Sequence, residues 1–135
     1  MAREHEAPRL DGRRLLVVED DYIIAIELAR SLEELGAEVL GPVGTVRAAL
    51  GLVAKNRERL DGAVLDVNLG SELAYPIADA LAERAIPFVF ATGYDEFVIP
   101  AAYAGAPRCE KPVDNAALAR VLARQWRAGQ APRST

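Results

Sequence analysis

The chain has 135 residues, which suits one domain and leaves too little for a second of ordinary size. Apolar residues make up 51% and charged residues 27%, so it can bury a core, while a net charge of -4 excludes a basic, non-specific nucleic-acid binder. One cysteine, Cys109, allows no intramolecular disulfide. Met1 to Arg14 lacks the apolar stretch of a signal peptide, and no apolar run approaches the roughly 20 residues of a membrane span; a small cytoplasmic protein is expected, with no nucleic-acid or membrane partner.

Leu15 to Val18 is an unbroken apolar run, as expected of a strand buried on both faces. Ile24, Leu28, Leu32 and Leu35 then recur at helical spacing and stop at Gly36, a C-cap position. Val39 to Val43 reads as a second strand, placed at an edge by Gly41 and Pro42. Thr45 can cap a helix reaching about Arg59, with Val46, Ala49, Leu50 and Val53 as its apolar stripe. Ala63 to Val67 gives a third strand, Ala74 to Arg84 a third helix, and Phe88 to Ala91 a central fourth strand. Phe97 to Ala104 is a poor helix, broken by Pro100 and followed by Gly105. Pro107 to Glu110 is the fifth strand. Asp114 caps a last helix whose stripe is Leu118, Val121 and Leu122, with Trp126 packing beyond it. This alternation predicts an α/β fold: a doubly wound five-stranded parallel sheet flanked by helices. The expected domain spans 13–127, between an N-terminal tail 1–12 and a C-terminal tail 128–135.

The polar residues fall at the strand ends. Glu19 and Asp20 end the first strand, Asp66 the third and Thr92 the fourth, and Lys111 follows the fifth. In a doubly wound sheet these ends line one crevice, where ligands bind. Three carboxylates held together raise one another's pKa unless a cation joins them, and magnesium, which prefers oxygen ligands, suits that vacancy. Asp66 is the best nucleophile, since carboxylates can form aspartyl phosphates. Lys111 would neutralise an incoming phosphoryl group, and Thr92 offers it a short hydroxyl donor. The isolated His5 is a bystander, and Cys109 a small core residue. Tyr22, Tyr75 and Tyr94 flank the crevice, where tyrosines mostly cover apolar surface.

Val17-Val18-Glu19-Asp20-Asp21, Leu65-Asp66-Val67-Asn68-Leu69, Ala91-Thr92-Gly93 and Lys111-Pro112 resemble, in this order, the signature blocks of response-regulator receivers. The resemblance covers roughly residues 13 to 127 and implies the flavodoxin-like receiver fold, with strand order 2-1-3-4-5. It makes Asp66 the phosphoacceptor, Lys111 the phosphoryl contact and Thr92 the switch hydroxyl. Asp20 and Asp66 would hold Mg2+ directly, Glu19 through water, and Asn68 through its backbone carbonyl. Asp21, the third position of its block, usually lies outside the metal shell, and the bond before Pro112 is often cis in this family. Pro87 to Tyr94 is similar to the Phe-Ala-Thr-Gly block of the FAT GUY receivers, which work with kinases of the HWE or HisKA2 type. The chain departs from the family at Arg108, where the usual aromatic switch residue would stand. An alternative switch is ordering of the segment from Gly93 to Gly105 on phosphorylation.

The implied function is a stand-alone response regulator, not a classical enzyme. It would accept phosphate from a sensor histidine kinase or a histidine phosphotransfer protein. It would then act on an unknown downstream protein, pass the phosphate on, or serve as a phosphate sink. The alternatives are a haloacid-dehalogenase-like phosphohydrolase and a phosphorylation-independent binding module. The first expects Asp-x-Asp after the first strand, whereas here Asp66 ends the third and Asn68 stands in the second aspartate's place. A receiver fragment of a hybrid kinase is a further variant.

Overall fold

One five-stranded sheet is built around three largely apolar segments, neither face of which is left to water. In a computed structural model of the chain, residues 8–93, 101–103, 105–111 and 113–129 are described. The strands β1 (Arg14–Val18), β2 (Glu38–Val43), β3 (Gly62–Asp66), β4 (Phe88–Thr92) and β5 (Arg108–Glu110) follow the order β2-β1-β3-β4-β5, all parallel. Parallel neighbours require crossovers, which α1 (Tyr22–Glu34), α2 (Val46–Asn56) and α3 (Tyr75–Glu83) supply; α4 (Asn115–Gly129) closes the chain. Among the described residues, no helix is long and apolar enough to cross a membrane.

Alternation along the strands divides the core in two. Leu16, Val18, Ala63, Leu65 and Phe90 face α2 and α3, meeting Ala49, Val53, Ile77 and Leu81. Leu15, Val17, Val64 and Val89 face α1 and α4, meeting Leu28, Leu32, Leu118, Leu122 and Trp126. Both sides of β1 and β3 are therefore apolar, which explains runs with no polar alternation. The edge position of β2 accommodates Gly41 and Pro42, joined by a cis peptide, and the β1–β2 register shifts between Leu16 and Val18.

Several boundaries differ from the sequence reading. The second helix stops at Asn56, not near Arg59, because Arg57, Glu58 and Arg59 are exposed and the chain must turn to bury Leu60. The buried stripe of α1 is Ala25, Leu28, Ala29 and Leu32, so Ile24, expected on it, is left 38% exposed. In α4 the buried line is Leu118, Ala119, Leu122 and Trp126, with Val121 at its edge. Gly36 does end α1, with φ at +104° and its amide donating to the Glu33 carbonyl at 2.9 Å. Of the weak helix expected over Phe97 to Ala104, Ala101–Tyr103 forms a 3-10 turn; residues 97–100 and 104 lie outside the described residues. Leu10, assigned to a tail by the sequence, is 1% exposed, and its amide donates to the Leu35 carbonyl at 2.7 Å.

At the amino ends of the strands, Asp61 is buried where it can tie β1 to β3: its Oδ2 accepts from the Arg14 amide at 2.9 Å. Its carbonyl accepts from the Trp126 indole nitrogen at 2.9 Å, and the Arg13 guanidinium lies 3.8 Å from the Trp126 ring centroid. This joins the end of α4 to the start of the sheet. We expect Trp126→Ala to cost about 3–5 kcal/mol, as for other buried aromatics. Trp126→Phe, which keeps most of the ring and loses the donor, should cost about 1–2 kcal/mol. Urea unfolding followed by circular dichroism would check both, and equal costs would contradict the packing argument.

Candidate functional site

β1, β3 and β4 end side by side, with Val18 opposite Leu65 and Asp66 opposite Ala91, so the residues leaving them converge. Glu19 and Asp66 are 5% and 3% exposed. Lys111 follows β5, and its amide donates to the Thr92 carbonyl at 2.8 Å. Its Nζ lies 2.9 Å from Glu19 Oε1 and 3.1 Å from Asp66 Oδ2, so two buried carboxylates share one ammonium. The remaining oxygens take backbone donors: Glu19 Oε2 accepts from the Asp21 amide at 3.1 Å, and Asp66 Oδ1 from the Asn68 amide at 3.3 Å. Asp20 is exposed, and one carboxylate oxygen each from Glu19, Asp20 and Asp66 lie within 4.8 Å of one another.

One cation cannot neutralise two buried acids. Burial pushes the Asp66 carboxyl up, the hydrogen bond and charge of Glu19 push it further, and Lys111 opposes them, leaving it at about 7. For Glu19, burial also pushes upward, but hydrogen bonds from Lys111 and the Asp21 amide outweigh it and hold the group below the usual range. Burial pulls Lys111 down, yet its bonds to both carboxylates keep it above its ordinary value.

The donor set fits a hard divalent cation. All three groups offer oxygen, and with all three ionised against one lysine two negative charges are left uncompensated. Gly44 allows a close approach on the Asp20 side, since a Cβ there would stand 3.2 Å from Asp20 Cα, and Gly70, next to Asp20 Oδ2, has φ at +80°, which favours glycine.

Other residues singled out in the sequence fall as follows. Asp21 caps α1, its Oδ1 accepting from the Ile24 amide at 3.1 Å, and so has a structural task. Thr92 closes β4 and is buried. Asn68 is exposed, and its side chain accepts from the Gly70 amide at 3.1 Å, which shapes the turn after Asp66. Tyr22, expected to cover apolar surface, is 77% exposed. Pro112, Tyr94 and His5 lie outside the described residues. Arg108 is exposed on β5. The aromatic contacts lie elsewhere: Tyr103 stacks on Tyr75 with centroids 5.7 Å apart and meets Phe90 edge-on at 5.8 Å.

No protein-family model matches the chain, and no curated protein matches it in sequence. Solved structures do. SdrG from Sphingomonas melonis Fr1 is 40% identical, with a TM-score of 0.74 over 84% of this chain and 95% of that one. The BeF3-activated conformation of SdrG from Pseudomonas melonis Fr1, also 40% identical, gives 0.69 over 84% and 96%. A response regulator receiver domain protein from Clostridium thermocellum, 21% identical, shares the fold, with a TM-score of 0.76 over 86% and 95%. The five-stranded parallel sheet with this strand order is the flavodoxin-like receiver architecture of two-component signalling. The chain belongs to the response-regulator receiver domains.

The shared ammonium has a consequence for stability. With its pKa raised from 3.8 to about 7, folded Asp66 keeps a proton that the unfolded chain releases, so stability falls as pH rises between those values. Glu19, held low, adds stability only up to its unfolded value of 4.5, at the lower edge of that window, and Lys111, held high, loses its contribution only above 10.5. In EDTA the melting temperature should therefore fall from about pH 5 to about pH 7. Magnesium should raise it more at the upper end, where the ligands need lose no proton. Asp66→Asn should flatten the EDTA slope; a slope unchanged in that variant would rule the explanation out. Scanning calorimetry reads both.

Proposed function

We propose that the chain is the phosphoacceptor of a two-component or phosphorelay system, taking a phosphoryl group on Asp66 from a phosphohistidine. The supporting observation is the Asp66 carboxylate held between Lys111 and the Glu19–Asp20 pair at the mouth of the sheet. An Asp66 oxygen attacks phosphorus, the phosphorus–nitrogen bond breaks, and its electron pair leaves on the imidazole, which picks up a proton. Lys111, already beside Asp66, moves to a phosphoryl oxygen and balances the negative charge that now lies on the phosphoryl group and not on the carboxylate. Thr92 supplies a hydroxyl donor to another oxygen. Glu19, Asp20, Asp66 and the Asn68 carbonyl would hold Mg2+, which supplies charge neutralisation and orientation of the phosphoryl oxygens.

A donor must bring its histidine to this crevice, and the rim suits a protein. Tyr22, Ile23 and Ile24 follow Glu19–Asp20–Asp21, and Leu73 bridges to Asn68; all four are exposed. Beside them a cleft of about 360 Å³ runs between α1 and α4, lined by Glu19, Ile24, Leu28, Ser31, Lys111 and Asn115. The Phe88 to Tyr94 stretch supports membership of the FAT GUY receivers, and with it a kinase of the HWE or HisKA2 type as donor. Output would follow by protein contact, onward phosphotransfer or storage of phosphate.

Incubation with acetyl phosphate should add about 80 Da by intact mass, only with magnesium and not in Asp66→Asn. No adduct in the wild type would favour a phosphorylation-independent binding module instead. Ile23→Asp should slow transfer from a phosphorylated kinase of that type by about tenfold, the cost of a lost interfacial anchor. The acetyl phosphate rate should stay within about twofold, since the small donor needs no rim; equal slowing of both would remove the rim's role.

A further inference from the structure

The loop between β3 and α3 folds on itself. Asn68 and Leu73 form an antiparallel bridge, the Leu69 amide donates to the Glu72 carbonyl at 2.8 Å, and the Ala74 amide to the Val67 carbonyl at 2.9 Å. Such a hairpin has a fixed shape, but its angle to the rest of the crevice needs another tether. Glu72 provides one: its Oε2 accepts from the amide of Val46, the first residue of α2, at 3.2 Å. That amide has no partner within its own helix, and a carboxylate is favoured at a helix start. The local cap, Thr45, is occupied with the Ala48 amide at 3.1 Å.

The segment before α2 in turn lies against the acid pair. The Glu19 amide donates to the Val43 carbonyl at 2.9 Å, and Gly44 approaches so closely that its Cβ would stand 3.2 Å from Asp20 Cα. Three loops are thus linked: the one carrying Asp20, the one leading into α2, and the one carrying Asn68. The carboxylates that converge are Glu19, Asp20 and Asp66; Glu72 is not among them.

We propose that Glu72 is a positioning residue for the divalent-cation site, a strut that fixes the Asn68 loop relative to Asp20. The inference rests on the magnesium reading above. It predicts that cation affinity depends on the hydrogen bond Glu72 accepts, and not on its charge. The test is magnesium titration of the full chain by calorimetry, for wild type, Glu72→Gln, Glu72→Ala and Thr45→Ala. Glu72→Ala should weaken binding about tenfold, in the range seen when groups orienting a metal ligand are removed. Glu72→Gln, which keeps an acceptor oxygen, should stay within about twofold, as should Thr45→Ala, which loosens the same helix end from the other side. An unchanged affinity in Glu72→Ala overturns the strut. So does an equal loss in Glu72→Gln, which would assign the effect to charge, or in Thr45→Ala, which would assign it to helix fraying. A wild type that binds no magnesium would instead overturn the cation reading, and this inference with it.

Discussion

A single ammonium stands between two carboxylates that the sheet has removed from water. Burying a charge is expensive unless a partner lies close, and Lys111 can meet Glu19 and Asp66 only because β5 runs far enough along β4 to place it beside them. A second lysine would satisfy both acids and close the site. With one, the crevice stays short of positive charge, which suits a divalent ion. The electrostatic deficit is what makes the site receptive, and the order of the strands is what brings its parts together.

The two ends of the sheet do different work. At the amino ends, Asp61, Arg13 and Trp126 bring polar groups and a ring together so that α4, β1 and β3 cannot separate. At the carboxyl ends, each strand runs out into a loop, and the loops hold one another through a few long-range hydrogen bonds and the close approach of Gly44. A site assembled from loops can keep its geometry when each loop is tied to a neighbour as well as to its own strand.

Much of this was legible in the sequence because it rests on local rules. Runs such as Leu15–Val18 announce buried parallel strands, and Thr45 marks a helix start that the structure confirms with a hydrogen bond from the Ala48 amide. The crevice followed from polar residues falling where strands end. Contacts that join distant segments left no comparable trace. Glu72 caps a helix 26 positions away, and Leu10 enters the core from a segment of otherwise polar composition. Leu28 and Leu32 of α1 face the core as expected, but Ile24 is as apolar as its neighbours, and only the packing shows that Ala25 takes its place against the sheet. Asp21 is expected outside the metal shell, and the structure gives it a separate task as the cap of α1.

The chain has one tryptophan, and it sits at the far end of the sheet from the acids. Asp61, which the indole holds, immediately precedes β3, and Asp66 closes it; the two are five positions apart along the strand, about 16 Å. The indole thus lies at the seat of α4, away from the crevice. The tyrosines Tyr75 and Tyr103 lie instead against Phe90, two residues before Thr92 on the same strand. The molecule thus carries two sets of aromatic groups with separate territories, one at the seat of α4 and one along the strand that ends in Thr92.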